Sequence, residues 1–236
     1  MRKAIACLPL IFVTSMAAAN GPFSVSGYAN HAKYQQANAQ LGQPAAGEQR
    51  VVFMGDSITE LWPVKHPEFF ASHGYIGRGI GGQVSHQMLL RFRDDVIALN
   101  PKVVVILAGT NDLAQNSGPV SLDSTAGNIY SMAELAQLHG ARVILCSVLP
   151  ASSFPWRQGI QPVQDIQALN QKIKNYAAEH QLAYVDYYSA LVDGEGGLKV
   201  PDYTTAEDKV HPNKAGYLVM EALIRPAIVQ ALTTAE

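Results

Sequence analysis

Cysteine is almost missing from this chain of 236 residues: two are present, Cys7 and Cys146. Cys7 lies in an N-terminal stretch that reads as a cleavable leader, so Cys146 is left without an intrachain partner and a disulfide framework is excluded. Cys146 itself stands in the apolar run VILCSVL and reads as a buried strand residue rather than a reactive thiol. Charge is also sparse, at 15% of residues, with 17 basic against 19 acidic side chains. Mild acidity without basic clusters argues against nucleic acid as a partner. Of the seven histidines none stands in H-E-x-x-H or in a paired-ligand spacing, so no metal is expected.

Long apolar runs are scarce too. AIACLPLIFVTSM (4–16) follows Arg2 and Lys3 and precedes Ala17-Ala18-Ala19. It is too short to span a bilayer, and the basic start, apolar middle and small-residue end are those of a secretory signal cut after Ala19. No later segment reaches the roughly 18 consecutive apolar residues of a membrane span, so no transmembrane segment is expected. The expected location is therefore the periplasm or the extracellular space. The expected organisation is a signal peptide over 1–19, a helical extension over 20–49 packed on the domain, and one catalytic-size domain over 50–236.

Five runs rich in Val, Ile, Leu and Tyr read as strands: VVFMG (51–55), YIGRGI (75–80), KVVVILAG (102–109), RVILCSVL (142–149) and LAYVDY (182–187). Near-continuous apolar strands are those covered on both faces. Between them, residues 85–99, 121–140 and 162–180 carry apolar residues at helical spacing, and a last helix begins near Asn213 with Pro226 expected to kink it. Alternating strand and helix means an α/β fold, a parallel sheet with helices on both faces.

Ligands of such sheets bind beyond the carboxyl ends of the strands. Those ends read Gly55-Asp56-Ser57-Ile58-Thr59, Gly81-Gly82-Gln83 and Gly109-Thr110-Asn111-Asp112, with Asp208-Lys209-Val210-His211-Pro212 in the loop after the fifth strand. Taken singly, each has a plain structural account: Ser57 as a helix cap, Asn111 and Asp112 as turn formers, Gly82 as a turn glycine, His211 as a loop histidine. Together they supply what acyl transfer needs. A serine hydroxyl needs a base as it attacks, and His211 with Asp208 three residues upstream can provide one. The N–H groups of Ser57 and Gly82 and the amide of Asn111 can receive the oxyanion.

GRGIGG (77–82) also satisfies G-x-G-x-x-G. A dinucleotide fingerprint follows the first strand of its unit and leads to an acidic residue about 20 residues on. These glycines follow the second strand, and the nearest acids, Asp94 and Asp95, fall inside a helical pattern. The stretch reads as an oxyanion loop.

With these blocks the chain resembles the SGNH (GDSL) hydrolases: GDSIT at 55–59, Gly82 in GIGGQ, GTND at 109–112 and Asp208-x-x-His211. The wording around the blocks is most similar to secreted bacterial acylhydrolases of the lysophospholipase-like and platelet-activating-factor acetylhydrolase-like branch. The resemblance implies a three-layer αβα sandwich with a five-stranded parallel sheet, flavodoxin-like, and an esterase needing no cofactor. It also implies Ser57, Asp208 and His211 as catalytic triad, and Ser57, Gly82 and Asn111 as oxyanion hole. Position 59 is Thr rather than the second Gly of G-x-S-x-G, which disfavours an α/β-hydrolase elbow. Trp62, Phe154 and Trp156 are candidates for the walls of a substrate pocket, with ordinary core packing as the alternative. The expected substrate is a small-molecule or glycan ester with a short acyl group, acetyl especially. The alternatives are a lysophospholipase or thioesterase for longer chains, and a binding protein that keeps the fold without the chemistry.

Overall fold

The protein is described by a computed structural model that covers residues 24–233. The expected signal peptide, 1–19, lies outside the described residues. Two short helices come first, α1 (Val25–Ala29) and α2 (Ala32–Leu41), followed by β1 (Val51–Gly55), α3 (Ser57–Lys65), α4 (Pro67–Ala71) and β2 (Ile76–Gly79). Then come α5 (Ser85–Asp95), a 3₁₀ turn (Ile97–Leu99), β3 (Val103–Leu107), α6 (Thr110–Leu113), α7 (Leu122–Leu138) and β4 (Arg142–Cys146). The chain finishes with α8 (Val163–Glu179), β5 (Ala183–Val185), α9 (Tyr187–Leu191) and α10 (Lys214–Thr233).

The five strands form one parallel sheet in the order β2-β1-β3-β4-β5. Because side chains alternate along a strand, each strand feeds two cores. Val52, Met54, Val104, Ile106, Val143 and Leu145 pack under α5, α7 and α8. Val51, Phe53, Val103, Val105, Ile144 and Cys146 pack under α3, α4, α9 and α10. This is the three-layer αβα sandwich. Cys146 is buried, and burial pushes its thiol up to about 12.

The strands are shorter than their apolar runs because pairing stops where the chain turns towards the carboxyl edge. YIGRGI pairs only over 76–79, and KVVVILAG only over 103–107. α10 continues past Pro226, which sits on its exposed side. By length and composition α10 is the one helix among the described residues apolar enough to cross a membrane, although Lys214, Glu221 and Arg225 break any continuous apolar run. Its apolar content has a nearer use: Tyr217, Met220, Ile224 and Ile228 are buried in the second core.

The segment before β1 packs on the domain through α1 and α2 against α5. Ala29 is buried, the Gln83 side chain donates to Ala29 O at 2.8 Å, and Tyr34 Oη donates to Gly79 O. Asn38 bridges two parts of the domain: its Oδ1 accepts from Arg78 Nε at 2.8 Å and its Nδ2 donates to Asp95 Oδ1 at 2.7 Å. Arg78 lies under the Tyr34 ring at 4.8 Å, so it is a packed structural cation.

Candidate active site

Ser57, His211 and Asn111 gather at the carboxyl edge around β1 and β3. β1 ends at Gly55, and α3 begins at once with Ser57 in its first turn. The cap of α3 is Asp56, whose Oδ1 accepts from Ile58 N at 2.9 Å. Capping by Asp56 leaves the Ser57 hydroxyl unspent on the helix, and it meets His211 Nε2 at 2.8 Å.

On the other side of the ring, His211 Nδ1 lies 2.8 Å from Asp208 Oδ1 and 3.1 Å from Oδ2. An ionised carboxylate can only accept, so Nδ1 carries the proton and Nε2 faces Ser57 with its lone pair. The loop is wound to hold this register. Lys209 has φ 61, and the N–H groups of Val210 and His211 both turn back to Asp208 Oδ1, at 3.2 and 2.9 Å. Thr204 Oγ1 fixes the other side by donating to His211 O at 2.9 Å. Burial alone would push the Asp208 carboxyl up, but the His211 hydrogen bonds and charge outweigh it and hold it below the usual carboxylate range.

The glycine loop and Asn111 form the opposite wall. Two glycines of GRGIGG have distinct tasks. A Cβ on Gly79 would stand 2.2 Å from Glu60 N and 2.5 Å from Asp56 O, so this glycine lets the end of β2 lie directly on the first turn of α3. Gly82 has φ 75, in the left-handed region that glycine adopts without strain. The loop is further held by Glu60, whose Oε2 accepts from Gly81 N at 2.6 Å.

Asn111 Nδ2 donates to Gln83 O at 3.1 Å and lies 3.4 Å from Asp56 Oδ2, between the glycine loop and the cap of α3. Asn111 and Asp56 are both closed to solvent. Burial pushes the Asp56 carboxyl up to about 6, against the Ile58 N–H, which favours its charge. Asp112, the last member of GTND, turns away from the site. It accepts from Ser85 N at 2.8 Å and Ser85 Oγ at 2.5 Å, tying α6 to the start of α5.

The three aromatic candidates part company. Trp62 is 1% exposed, donates to Glu221 Oε1 at 3.0 Å and packs among Phe53, Phe69 and Tyr217 as a core residue, the alternative the sequence left open. Phe154, also 1% exposed, belongs to the first core, sealed by the turn that joins it to Arg157. Trp156 is 45% exposed, and its ring lies 6.4 Å from that of His211 at 30°. Sequence spacing after a strand could not separate these fates, since the winding of α3 alone turns Trp62 inward.

Several residues that shape the site went unread in the sequence. Gln83 is buried, and its side chain accepts from Arg91 Nε at 2.6 Å. Arg91 is itself fully buried; it donates to Asp95 Oδ2 at 2.9 Å and to Gly55 O at 3.1 Å. The signal was present as an Arg–Asp pair at i, i+4, but it is indistinguishable from a surface pair until burial is known. Asn116, which bonds the Asn111 side chain at 2.7 Å, had no sequence signal.

Residues 53–219 match the sequence profile of the GDSL-like lipase/acylhydrolase family. The chain belongs to this family. It is similar to a GDSL-like lipase from Bacteroides thetaiotaomicron, at 53% identity over 86% of this chain and 99% of that one, with a TM-score of 0.84. A candidate acylhydrolase from Bacteroides fragilis is 52% identical over 86% of this chain and 98% of that one, also with a TM-score of 0.84. The lipoprotein YqeF of Bacillus subtilis is 35% identical over 127 residues, 52% of this chain. The chain spans less than half of that protein, 44% of its length. The fold and the ester-hydrolase class thus rest on the GDSL family as well as on the sheet and its loops.

Proposed function

We propose that this GDSL hydrolase is a serine esterase that removes short acyl groups, acetyl above all, from carbohydrate or other small ester substrates outside the cytoplasm. The observation that carries the chemistry is the unbroken relay from Ser57 Oγ to His211 Nε2 and from His211 Nδ1 to Asp208. In this reading Ser57 Oγ attacks the ester carbonyl while His211 Nε2 takes its proton. The carbonyl oxygen becomes an oxyanion received by the N–H groups of Ser57 and Gly82 and by Asn111 Nδ2. The tetrahedral adduct collapses, the C–O bond to the alcohol breaks, and His211 returns the proton to the departing oxygen. Water then repeats the sequence on the acyl-enzyme, with His211 as base, and releases the acid and free Ser57. Asp208 stays ionised throughout and steadies the imidazolium.

The lean towards a short acyl group is supported by the fate of the aromatics. Trp62 and Phe154, which could have walled a long-chain channel, are taken up by the two cores. The exposed indole of Trp156 beside His211 suits a flat, partly polar alcohol such as a sugar ring. The basic-apolar-small leader and the similarity to a lipoprotein support an extracytoplasmic setting.

A series of p-nitrophenyl esters of increasing chain length tests the reading, with Ser57→Ala as control. Acetate or propionate should give the highest kcat/KM, and the variant should lose almost all activity. A peak at octanoate or longer would transfer the protein to the lysophospholipase and thioesterase class. Equal slow hydrolysis by wild type and variant would make it a binding protein.

A further inference from the structure

One side chain at the site belongs to none of the four sequence blocks. Asn116 follows α6 in a tight turn: Gln115 has φ 54, and Asn116 N donates to Asn111 O at 3.0 Å. Its carboxamide touches three groups. Oδ1 accepts from Trp156 Nε1 at 2.9 Å; Nδ2 donates to Asn111 Oδ1 at 2.7 Å and reaches Gly82 O at 3.3 Å.

The polarity of this chain is forced from one end. An indole N–H can only donate, so the end of the Asn116 amide facing Trp156 is oxygen. The nitrogen end must then face Asn111, and the end of the Asn111 amide facing Asn116 must in turn be oxygen. That leaves Asn111 Nδ2 turned towards Gln83 O at the end of the glycine loop and towards Asp56, the residue before Ser57. An amide placed the other way would present a lone pair to an oxyanion, turning a stabilising donor into a repulsive acceptor. Gln83 O favours the same orientation from the opposite side, so the amide is held at both ends.

The turn carrying Asn116 is pinned to the turn carrying Trp156. Arg157 Nη2 donates to Gln115 O at 2.6 Å and Arg157 Nε to Ala114 O at 3.2 Å. The exposed indole and the buried amide therefore belong to one braced unit.

We infer that Asn116 is a positioning residue for the reaction: it fixes the amide of Asn111 with its N–H towards the oxyanion, and it ties that orientation to Trp156, the indole beside which the alcohol part of the substrate lies. This inference rests on the esterase reading of the same site. A substrate that presses on Trp156 thereby tightens the donor that the transition state needs, so binding energy away from the carbonyl is felt in kcat.

The test uses Asn116→Asp and Asn116→Ala in the full-length protein with p-nitrophenyl acetate. Asp keeps an acceptor for Trp156 Nε1 and cannot donate to Asn111 when ionised; Ala removes both contacts. Both variants should lose kcat by about ten- to a hundred-fold, less than loss of an oxyanion donor itself, with KM within about two-fold of wild type. Affinity for an acyl-mimicking trifluoromethyl ketone, which forms a tetrahedral adduct on the serine, should fall by the same factor as kcat/KM. Circular dichroism and the thermal midpoint separate a folding defect from a positioning one, and Asn116→Ser, able to donate over a shorter reach, should recover part of the rate. If kcat in Asp and Ala variants stays within two-fold of wild type, or if KM alone changes, the positioning role is wrong. An inactive wild type would instead overturn the esterase reading and is seen before any variant is made.

Discussion

The two walls of the site are built in opposite ways. The wall proposed to receive the oxyanion puts an exposed glycine, Gly82, in front of buried side chains: Gln83 and Asn111 are 4% and 3% exposed and Arg91 is closed to solvent. The wall proposed to do the acid–base work is a surface loop, where the side chains of His211 and Asp208 are 24% and 38% exposed and most bonds run within 204–211. In the esterase reading proposed above, the difference follows from the task of each wall. Donors to a developing charge help only if they are already in place, so they are fixed by buried partners that cannot reorient. A base that takes a proton and hands it to an alcohol, then takes one from water, needs solvent close by. In that reading rigidity is placed where charge would appear, and access where protons would move.

The sharpest way to break this contrast is to remove the groups at the meeting point of the walls. Ser57→Ala or His211→Ala should lower kcat by about 10⁶-fold at most, with little change in the thermal midpoint. Next, Asp208→Asn should cost about 10⁴-fold in kcat, as the tautomer of His211 is lost, while folding stability stays near wild type because the loop is exposed. The buried wall should fail in the other way. Arg91→Met leaves the buried Asp95 without its countercharge, with only the Asn38 amide to bond it, and urea unfolding should show a loss of about 3–5 kcal/mol. Asn111→Ala should then lower kcat/KM by about 10²–10³-fold, measured on p-nitrophenyl acetate.

The smallest effect concerns pH. Burial raises the Asp56 carboxyl to about 6 in the folded protein. The unfolded chain gives up this proton first, so the folded state loses ground as pH rises from the ordinary carboxylate range to about 6, then levels off. Asp112, also raised by burial, adds to the same slope. Asp56→Asn should flatten part of that slope, by at most about 3 kcal/mol across the window, as read from urea midpoints at pH 4 to 7.

Much of the architecture was legible because parallel strands covered on both faces write themselves as continuous Val, Ile and Leu. β1 has the limits read from the sequence, and α7 and α8 differ from theirs by a residue or two. The four blocks were legible because reacting groups must be particular residue types at strand ends. The hidden part works through partners distant in the chain. Asn116 looks like any loop asparagine, and its meaning appears only when Trp156, 40 residues later, turns its N–H towards it. Trp62 and Trp156 carry the same side chain near strand ends, yet one faces Glu221 inside the domain and the other solvent. Residue type says what a group can do, and the path of the backbone decides whether it does it there. Short helices such as α6 and α9 were equally unreadable, because four or five residues hold too little periodicity.

Tyr217 and Glu221 of α10 reach across to α3, one bonding Ile58 O at 2.8 Å and the other Trp62 Nε1 at 3.0 Å. The helix that opens with Ser57 and the helix that comes after His211 are thereby bolted side by side. Any shift of one helix therefore carries the other with it, so hydroxyl and imidazole travel as a pair instead of being prised apart.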